Sequence, residues 1–245
     1  MINQNFKLTK IIDPYKIWIL DDFLEPSYCN NLNKSWPNQD LPLWNKGVGK
    51  LFDKDGVLED KMIAISGKEN IPEPFHEFLT EITSNERLNF FKDLTNMEEI
   101  TSDSSWRWSG LRETLKGGHQ LIHIDARQHI ETGLTKELTM LLYLNDDYEE
   151  DRDAGQLEIW SADMKEKMHS IPPFYNRLVI FHNTDTSFHG VPETRNNRKM
   201  ITWSMLNQKI SSGDTRAKFV QRPDDPSIVK ELSDERLKVK DKFQY

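Results

Sequence analysis

The sequence predicts a mainly β fold, a sandwich or barrel, with helices flanking it. Three observations lead there. From Trp106 onward, short runs of alternating or continuously apolar residues are separated by Gly, Asn and Asp, the rhythm of many short strands joined by turns. Ahead of them, Phe75, Phe78, Leu79 and Ile82, then Leu88, Phe91 and Leu94, fall at helical spacing between Pro74 and Asn96. A chain of 245 residues can also bury a substantial core without dividing into domains.

In chain order, Tyr15 to Leu20 is an aromatic and aliphatic run that reads as a strand ending at Asp21-Asp22. Phe23-Leu24-Glu25-Pro26 leads into a helix, with proline tolerated in its first turn and Tyr28, Leu32 and Trp36 on one face. Residues 37–60 are rich in Pro, Gly, Asn and Asp and read as loop with short extended pieces. The two helices between Pro74 and Asn96 are expected to brace the outside of the core. Strands are expected near 105–112, 119–125, 137–144, 155–160, 177–182, 187–191 and 198–206. The tail from Ser211 is charged, with Pro223 and Pro226 ahead of a helix expected at 227–238. The expectation is therefore one domain over 1–245: an N-terminal strand and bracing helices (1–104), a strand-rich core (105–210) and a charged extension (211–245).

Hydrophobic residues make up 36% of the chain, and the formal charge is −8. That balance argues against nonspecific binding to nucleic-acid phosphates, which relies on Lys and Arg, so nucleic acid is not an expected partner. Cys29 is the single cysteine, which precludes an intrachain disulfide and suits a reducing cytoplasm. The start, Met1 to Lys7, lacks the apolar run of a secretion signal, and Ile17 to Leu20 is far too short to span a membrane. A soluble, cytoplasmic protein is the expectation.

The chemistry concentrates in His123-Ile124-Asp125, His189 and Arg198. On a strand, residues two apart project from the same face, so His123 and Asp125 point together. A third ligand has to come from a distant strand. His189 fits, following the apolar run Leu178-Val179-Ile180-Phe181 and a polar turn; His182, at the end of that run, competes. Two imidazoles and one carboxylate with open positions form the facial triad of non-haem Fe(II) oxygenases.

The sequence resembles the 2-oxoglutarate and Fe(II)-dependent dioxygenases, in their prolyl 4-hydroxylase-like branch. The resemblance runs over roughly residues 106–206. It passes through His123-Ile124-Asp125, Leu142-Tyr143-Leu144-Asn145, Ala154-Gly155-Gln156-Leu157-Glu158-Ile159-Trp160 and Ile171-Pro172-Pro173. Asn176 to Phe181, His189-Gly190-Val191 and Arg198 to Trp203 continue it, and Trp18 to Leu24 carries it more weakly at the start. It implies a double-stranded β-helix, a cupin-like jelly-roll barrel with iron at its open mouth. It further implies Fe(2+) on His123, Asp125 and His189, with 2-oxoglutarate and O2 as co-substrates and ascorbate as a reductant.

Arg198 matches the family's basic residue after the second histidine, which pairs with the far carboxylate of 2-oxoglutarate. A buried carboxylate needs such a partner, and a guanidinium can grip it with two parallel bonds. Tyr143 matches a position where related hydroxylases offer a phenol to the same carboxylate, and Thr202 shares strand parity with Arg198. Arg195 reads as a solvated loop arginine. Ala154-Gly155 stands where the family has a glycine pair, and Asp125 separates the chain from halogenating relatives, which lack that carboxylate. The implied reaction is hydroxylation of a C–H bond in a small metabolite or a prolyl or amino-acid side chain, with release of succinate and CO2. Two other readings stay open: a cupin-like metal protein that does not use 2-oxoglutarate, and a noncatalytic binding module on the same barrel.

Other residues are weighed against plainer roles. His119 shares parity with His123 on the same expected strand and reads as an interior histidine or as a group that binds substrate or tunes the site, and His76, His129 and His169 read as exposed. Trp106, Arg107, Trp108 and Arg112 are expected on the strand before the metal strand, as core tryptophans with snorkelling arginines or as the lining of a pocket for an anionic or planar substrate. Residues 127–136 lie where loops commonly touch substrate. Asp146 to Asp153 reads as a solvated acidic turn, its spacing fitting no EF-hand.

Overall fold

The computed structural model describes residues 1–45, 50–52, 57–59, 61–210 and 217–220. The N-terminal part comprises β1 (Lys7–Ile11), β2 (Ile17–Asp21), α1 (Pro26–Lys34), β3 (Lys50–Phe52), β4 (Val57–Glu59), β5 (Met62–Ser66), α2 (Glu73–Ile82), α3 (Asn85–Thr95) and β6 (Ile100–Ser102). There follow β7 (Gly110–Thr114), β8 (Gln120–Ile124), β9 (Leu134–Tyr143), α4 (Glu150–Asp153), β10 (Leu157–Trp160) and β11 (Lys167–Ile171). The order closes with β12 (Leu178–His182), β13 (His189–Val191), β14 (Arg198–Ile210) and β15 (Lys218–Val220).

Two antiparallel sheets face each other, the architecture of a double-stranded β-helix. The larger runs β1-β2-β12-β9-β14-β7-β5, with β6 on the far part of β14, and the smaller runs β11-β10-β13-β8-β15. Alternation along the strands divides the apolar residues into two cores. Ile17, Ile19, Leu141, Tyr143, Val179, Phe181 and Met200 turn inward, where Leu157, Ile159 and Ile171 of the smaller sheet meet them. Leu20, Leu142, Ile180, Ile201 and Trp203 turn outward against the helices. The larger sheet is therefore covered on both faces, which is why β12 is a continuous apolar run.

The helical cover follows from local sequence. α2 begins at a proline-rich turn and places Phe75, Phe78, Leu79 and Ile82 on one buried stripe. Ser84 caps α3 by accepting the Arg87 N–H, and Asn96 ends it in the left-handed conformation. Phe78 and Phe91 both meet the buried Trp203 edge-on.

Several expected boundaries move. The strand expected at 105–112 begins only at Gly110, because Asp103 Oδ1 holds the Ser105 N–H and hydroxyl and Trp106 takes a positive φ of 55°, making 103–109 a turn. α1 stops at Lys34, ahead of Trp36, whose indole N–H instead reaches Glu113 Oε2 at 2.9 Å. β11 is a strand the sequence reading lacked, since Lys-Met-His-Ser-Ile shows no clean alternation and only Ile171 is fully buried. The helix expected at 227–238 lies outside the described residues. Among the described residues, no helix is long and apolar enough to cross a membrane.

Candidate metal centre and its surroundings

β8 and β13 are antiparallel neighbours in the smaller sheet, with His189 directly opposite His123. Opposed residues project from the same face, and the ring centroids lie 4.4 Å apart. Asp125 follows the end of β8. Its Oδ1 sits 3.4 Å from His123 Nε2 and 3.9 Å from His189 Nε2. One donor atom from each of the three lies within 4.8 Å of the others.

The outer atoms fix the inner ones. His123 Nδ1 lies 2.8 Å from the Leu121 carbonyl, and His189 Nδ1 lies 2.8 Å from the Ser187 carbonyl. A carbonyl can only accept, so both Nδ1 atoms carry protons and both Nε2 atoms face the carboxylate. Burial, with the neighbouring His123 adding to it, lowers the His189 pKa to about 4, which keeps this imidazole neutral at pH 7. Burial alone would raise the Asp125 pKa, but the Lys136 ammonium and the two imidazoles outweigh it and hold the carboxyl well below the ordinary range. A neutral His189 imidazole, the His123 ring and an ionised carboxylate on one face suit a divalent iron. His182 is not part of this group: its Nε2 pairs with Glu137 Oε1 at 3.0 Å.

Two residues beside the triad escaped the sequence reading. Lys136, 6% exposed, places Nζ 2.6 Å from Asp125 Oδ2, and the Thr139 hydroxyl donates to the same oxygen at 3.0 Å. Oδ2 is thereby occupied, which leaves Oδ1 to face the imidazoles. Lys136 was hidden because Glu137 is left over in the β9–β14 register, a bulge that upsets simple parity along the strand. Replacing Lys136 by Met should weaken Fe(II) or Mn(II) binding by about 10–100-fold, the usual cost of removing a group that orients a ligand. Calorimetric titration at pH 7 checks this, and unchanged affinity would remove Lys136 from the role.

The second half of the site lies on the inner face of the larger sheet, where Met200 on β14 stands opposite Tyr143 on β9. Arg198, 3% exposed, donates from Nη2 to the Tyr143 hydroxyl at 2.8 Å and from Nη1 to the Met200 sulfur at 3.4 Å. Its buried Nε has no partner. Among the described residues no carboxylate pairs with this guanidinium. Burial raises the Tyr143 pKa, with Arg198 partly opposing, so the phenol stays protonated. Because its oxygen accepts from Arg198, its own proton is left to donate elsewhere. The Tyr148 hydroxyl is likewise buried without a partner. Thr202 is buried on the same strand with no side-chain partner among the described residues. Gly155 packs close by, where an added Cβ would come within 2.8 Å of Thr194 Cγ2 and 3.5 Å of Arg198 Cδ. Ala154 adopts a φ of 52° where the family has a glycine.

Arg195 is exposed and bonds the Asp151 carbonyl, as its loop position suggested. His129, expected to be exposed, is 0% exposed: Ser105 Oγ lies 3.0 Å from its Nε2, and Trp108 packs edge-on against it. It is enclosed because the 103–109 turn folds over it. His76 and His169 are only partly buried, and His169 meets the Asp13 carbonyl. Trp106 is core, while Arg107 is exposed and 3.9 Å from Glu131. Within the acidic turn, Asp153 is buried against Arg152 rather than solvated.

Residues 110–205 match the family model described as the 2OG-Fe(II) oxygenase superfamily. The matched stretch carries His123, Asp125, His189 and Arg198, and the fold is one also seen in solved prolyl 4-hydroxylases. Similar solved structures include a Pseudomonas putida prolyl-4-hydroxylase, at 16% identity and TM-score 0.55, covering 79% of this chain and 93% of that one. A prolyl 4-hydroxylase from Phytophthora capsici matches at 18% identity and TM-score 0.53, with 79% of this chain and 59% of that one covered. The viral collagen prolyl hydroxylase of Paramecium Bursaria Chlorella virus-1, solved with 2OG, matches at 12% identity and TM-score 0.52, with 80% and 99% covered. No curated protein matches the chain.

Proposed function

We propose that the protein is an Fe(II)- and 2-oxoglutarate-dependent dioxygenase that hydroxylates a C–H bond of a small metabolite or of a prolyl or other amino-acid side chain, releasing succinate and CO2. One observation carries the reading most: a buried arginine without a carboxylate partner shares the barrel interior with a His-Asp-His group. His123, Asp125 and His189 would hold the metal. When bound there, Fe(II) with 2-oxoglutarate would supply the activation of O2 that no side chain provides.

The chain's own part is positioning. Arg198 and the Tyr143 phenol would receive the far carboxylate of 2-oxoglutarate, with Thr202 as a further hydroxyl on the same strand. Lys136 and Thr139 keep one Asp125 oxygen engaged and the other turned to the metal position. Leu141, Val179, Phe181 and Met200 cluster with Tyr143 on the inward face, and such apolar surroundings strengthen each of these charge interactions. The buried single thiol of Cys29 suits a reducing, cytoplasmic setting.

The test is succinate release in air with Fe(II), 2-oxoglutarate and ascorbate, over a panel of amino acids, prolyl peptides and sugar-linked metabolites, with product masses recorded. Succinate formation stimulated by one class, with a 16-dalton gain on that compound (one oxygen atom, about 16 mass units by the implied chemistry), is expected. Metal retained without consumption of 2-oxoglutarate would favour the cupin-like reading instead.

A further inference from the structure

A second arginine faces the same interior and is used by nothing described so far. Arg112 lies on β7 opposite Met200 of β14 on one side and Ala64 of β5 on the other. Met200 is in turn opposite Tyr143, so Ala64, Arg112, Met200 and Tyr143 form one row across the inner face of the larger sheet. Met200 packs in the inner core, which fixes the direction of that row. Unlike Arg198, Arg112 is only partly buried, so its side chain keeps an accessible side. Its flanking neighbours, a methyl group and a thioether, offer no charged acceptor. Among the described residues Arg112 makes no hydrogen bond or ion pair. Burial lowers its pKa, while the Asp125 carboxylate, near enough for its charge to be felt, acts in the opposite sense.

A guanidinium turned toward a cleft and left without an acid is costly unless something else brings the negative charge. Its planar fork is matched by a carboxylate or a phosphate, which it can hold by two bonds. The co-substrate does not fill this need, because Arg198 and Tyr143 already form a donor pair for its single free carboxylate. A second anion is required, and the molecule to be oxidised is the remaining occupant of the mouth.

We propose that Arg112 binds an oxyanion of the oxidised substrate, so that the substrate is a small acid carrying a free carboxylate or a phosphate rather than an internal residue of a neutral peptide. The inference rests on the oxygenase reading above and narrows it. The anion would dock on the inner face of β7, and the C–H bond to be oxidised would be presented toward His123, Asp125 and His189.

The experiment compares two matched sets of compounds on the Fe(II)·2-oxoglutarate enzyme. One holds free L-amino acids, sugar acids and sugar phosphates; the other holds the corresponding carboxamides and dephosphorylated sugars. Succinate release and anaerobic perturbation of the 2-oxoglutarate charge-transfer band are both read. Turnover should be confined to the anionic set, with a loss of roughly 100-fold or more in the neutral counterparts, since a site built to bond a polar group rejects the analogue lacking it. Whether the acids or the phosphates respond identifies the source of the charge. Arg112→Met should lower kcat/KM for the responding compound by roughly 100-fold while 2-oxoglutarate affinity stays within about twofold, and Arg112→Lys should restore part of the loss. Equal turnover of both sets, turnover of no anionic compound, or a weakened 2-oxoglutarate complex in Arg112→Met would each overturn the assignment. Absence of the charge-transfer band in the unaltered enzyme would instead remove the oxygenase reading. Calorimetry of the anionic set with the unaltered protein and Arg112→Met would then still decide whether Arg112 binds an anion.

Discussion

Replacing His123 or His189 by alanine should reduce succinate formation by more than roughly 1,000-fold, about 4 kcal/mol in the barrier, while leaving a folded protein. Each imidazole projects from the smaller sheet toward Asp125, and when one is removed the carboxylate still keeps the Lys136 ammonium as its partner. Asp125→Ala is a different experiment. Its carboxylate neutralises the buried Lys136 ammonium at 2.6 Å, and breaking a buried pair from one side commonly costs about 3–5 kcal/mol of stability. The aspartate variant should therefore lose both turnover and a large part of its folding stability, and Asp125→Ala combined with Lys136→Met should recover stability without activity. Thermal unfolding beside succinate assays separates the two effects. Turnover retained in either histidine variant would remove that residue from the ligand set.

The second large effect is expected at Arg198. Its buried guanidinium already has Tyr143 and Met200 on two nitrogens, and only Nε remains without a partner. Charge-assisted bonds are worth about 1.5–3 kcal/mol each, so loss of the paired contact in Arg198→Ala should raise the KM for 2-oxoglutarate by roughly 100-fold or more. The effect should lie mainly in KM, because the distal carboxylate is bound similarly before and during reaction. Arg198→Lys should recover only part of it, since an ammonium cannot reproduce the fork. Tyr143→Phe removes one donor and should give a smaller rise. An unchanged KM in Arg198→Ala would reject this placement of the co-substrate.

Much of the site was legible because its elements lie close in sequence or in strand parity. His123 and Asp125 are two residues apart at a strand end, and Arg198 opens a long apolar strand at the spacing the family shows. The helix pair was legible because Phe75, Phe78, Leu79 and Ile82 repeat at the period of a helix that covers a sheet. What sequence did not disclose depends on register and closure. Lys136 reaches Asp125 because of a bulge at Glu137, and no single-residue pattern announces a bulge. His129 seemed polar and exposed from its neighbours, yet Ser105 and Trp108 enclose it after a turn that replaces the expected strand. β11 stayed hidden because an edge strand need bury little, and Met168 and His169 are only partly buried between the exposed Lys167 and Ser170.

Arg112 shows the same limit from the other side. Its sequence context allowed either a snorkelling surface arginine or a pocket residue. Only the row through Ala64, Met200 and Tyr143 assigns it to the interior face.

The account stands on one ferrous ion held by His123, Asp125 and His189 with 2-oxoglutarate beside it. Anaerobic titration of the purified chain with Fe(II) in the presence of 2-oxoglutarate tests this directly. One equivalent of iron per chain, with a visible charge-transfer band that disappears in His189→Ala, is the expected result. Failure to bind iron stoichiometrically, or a band that survives in His189→Ala, would contradict it.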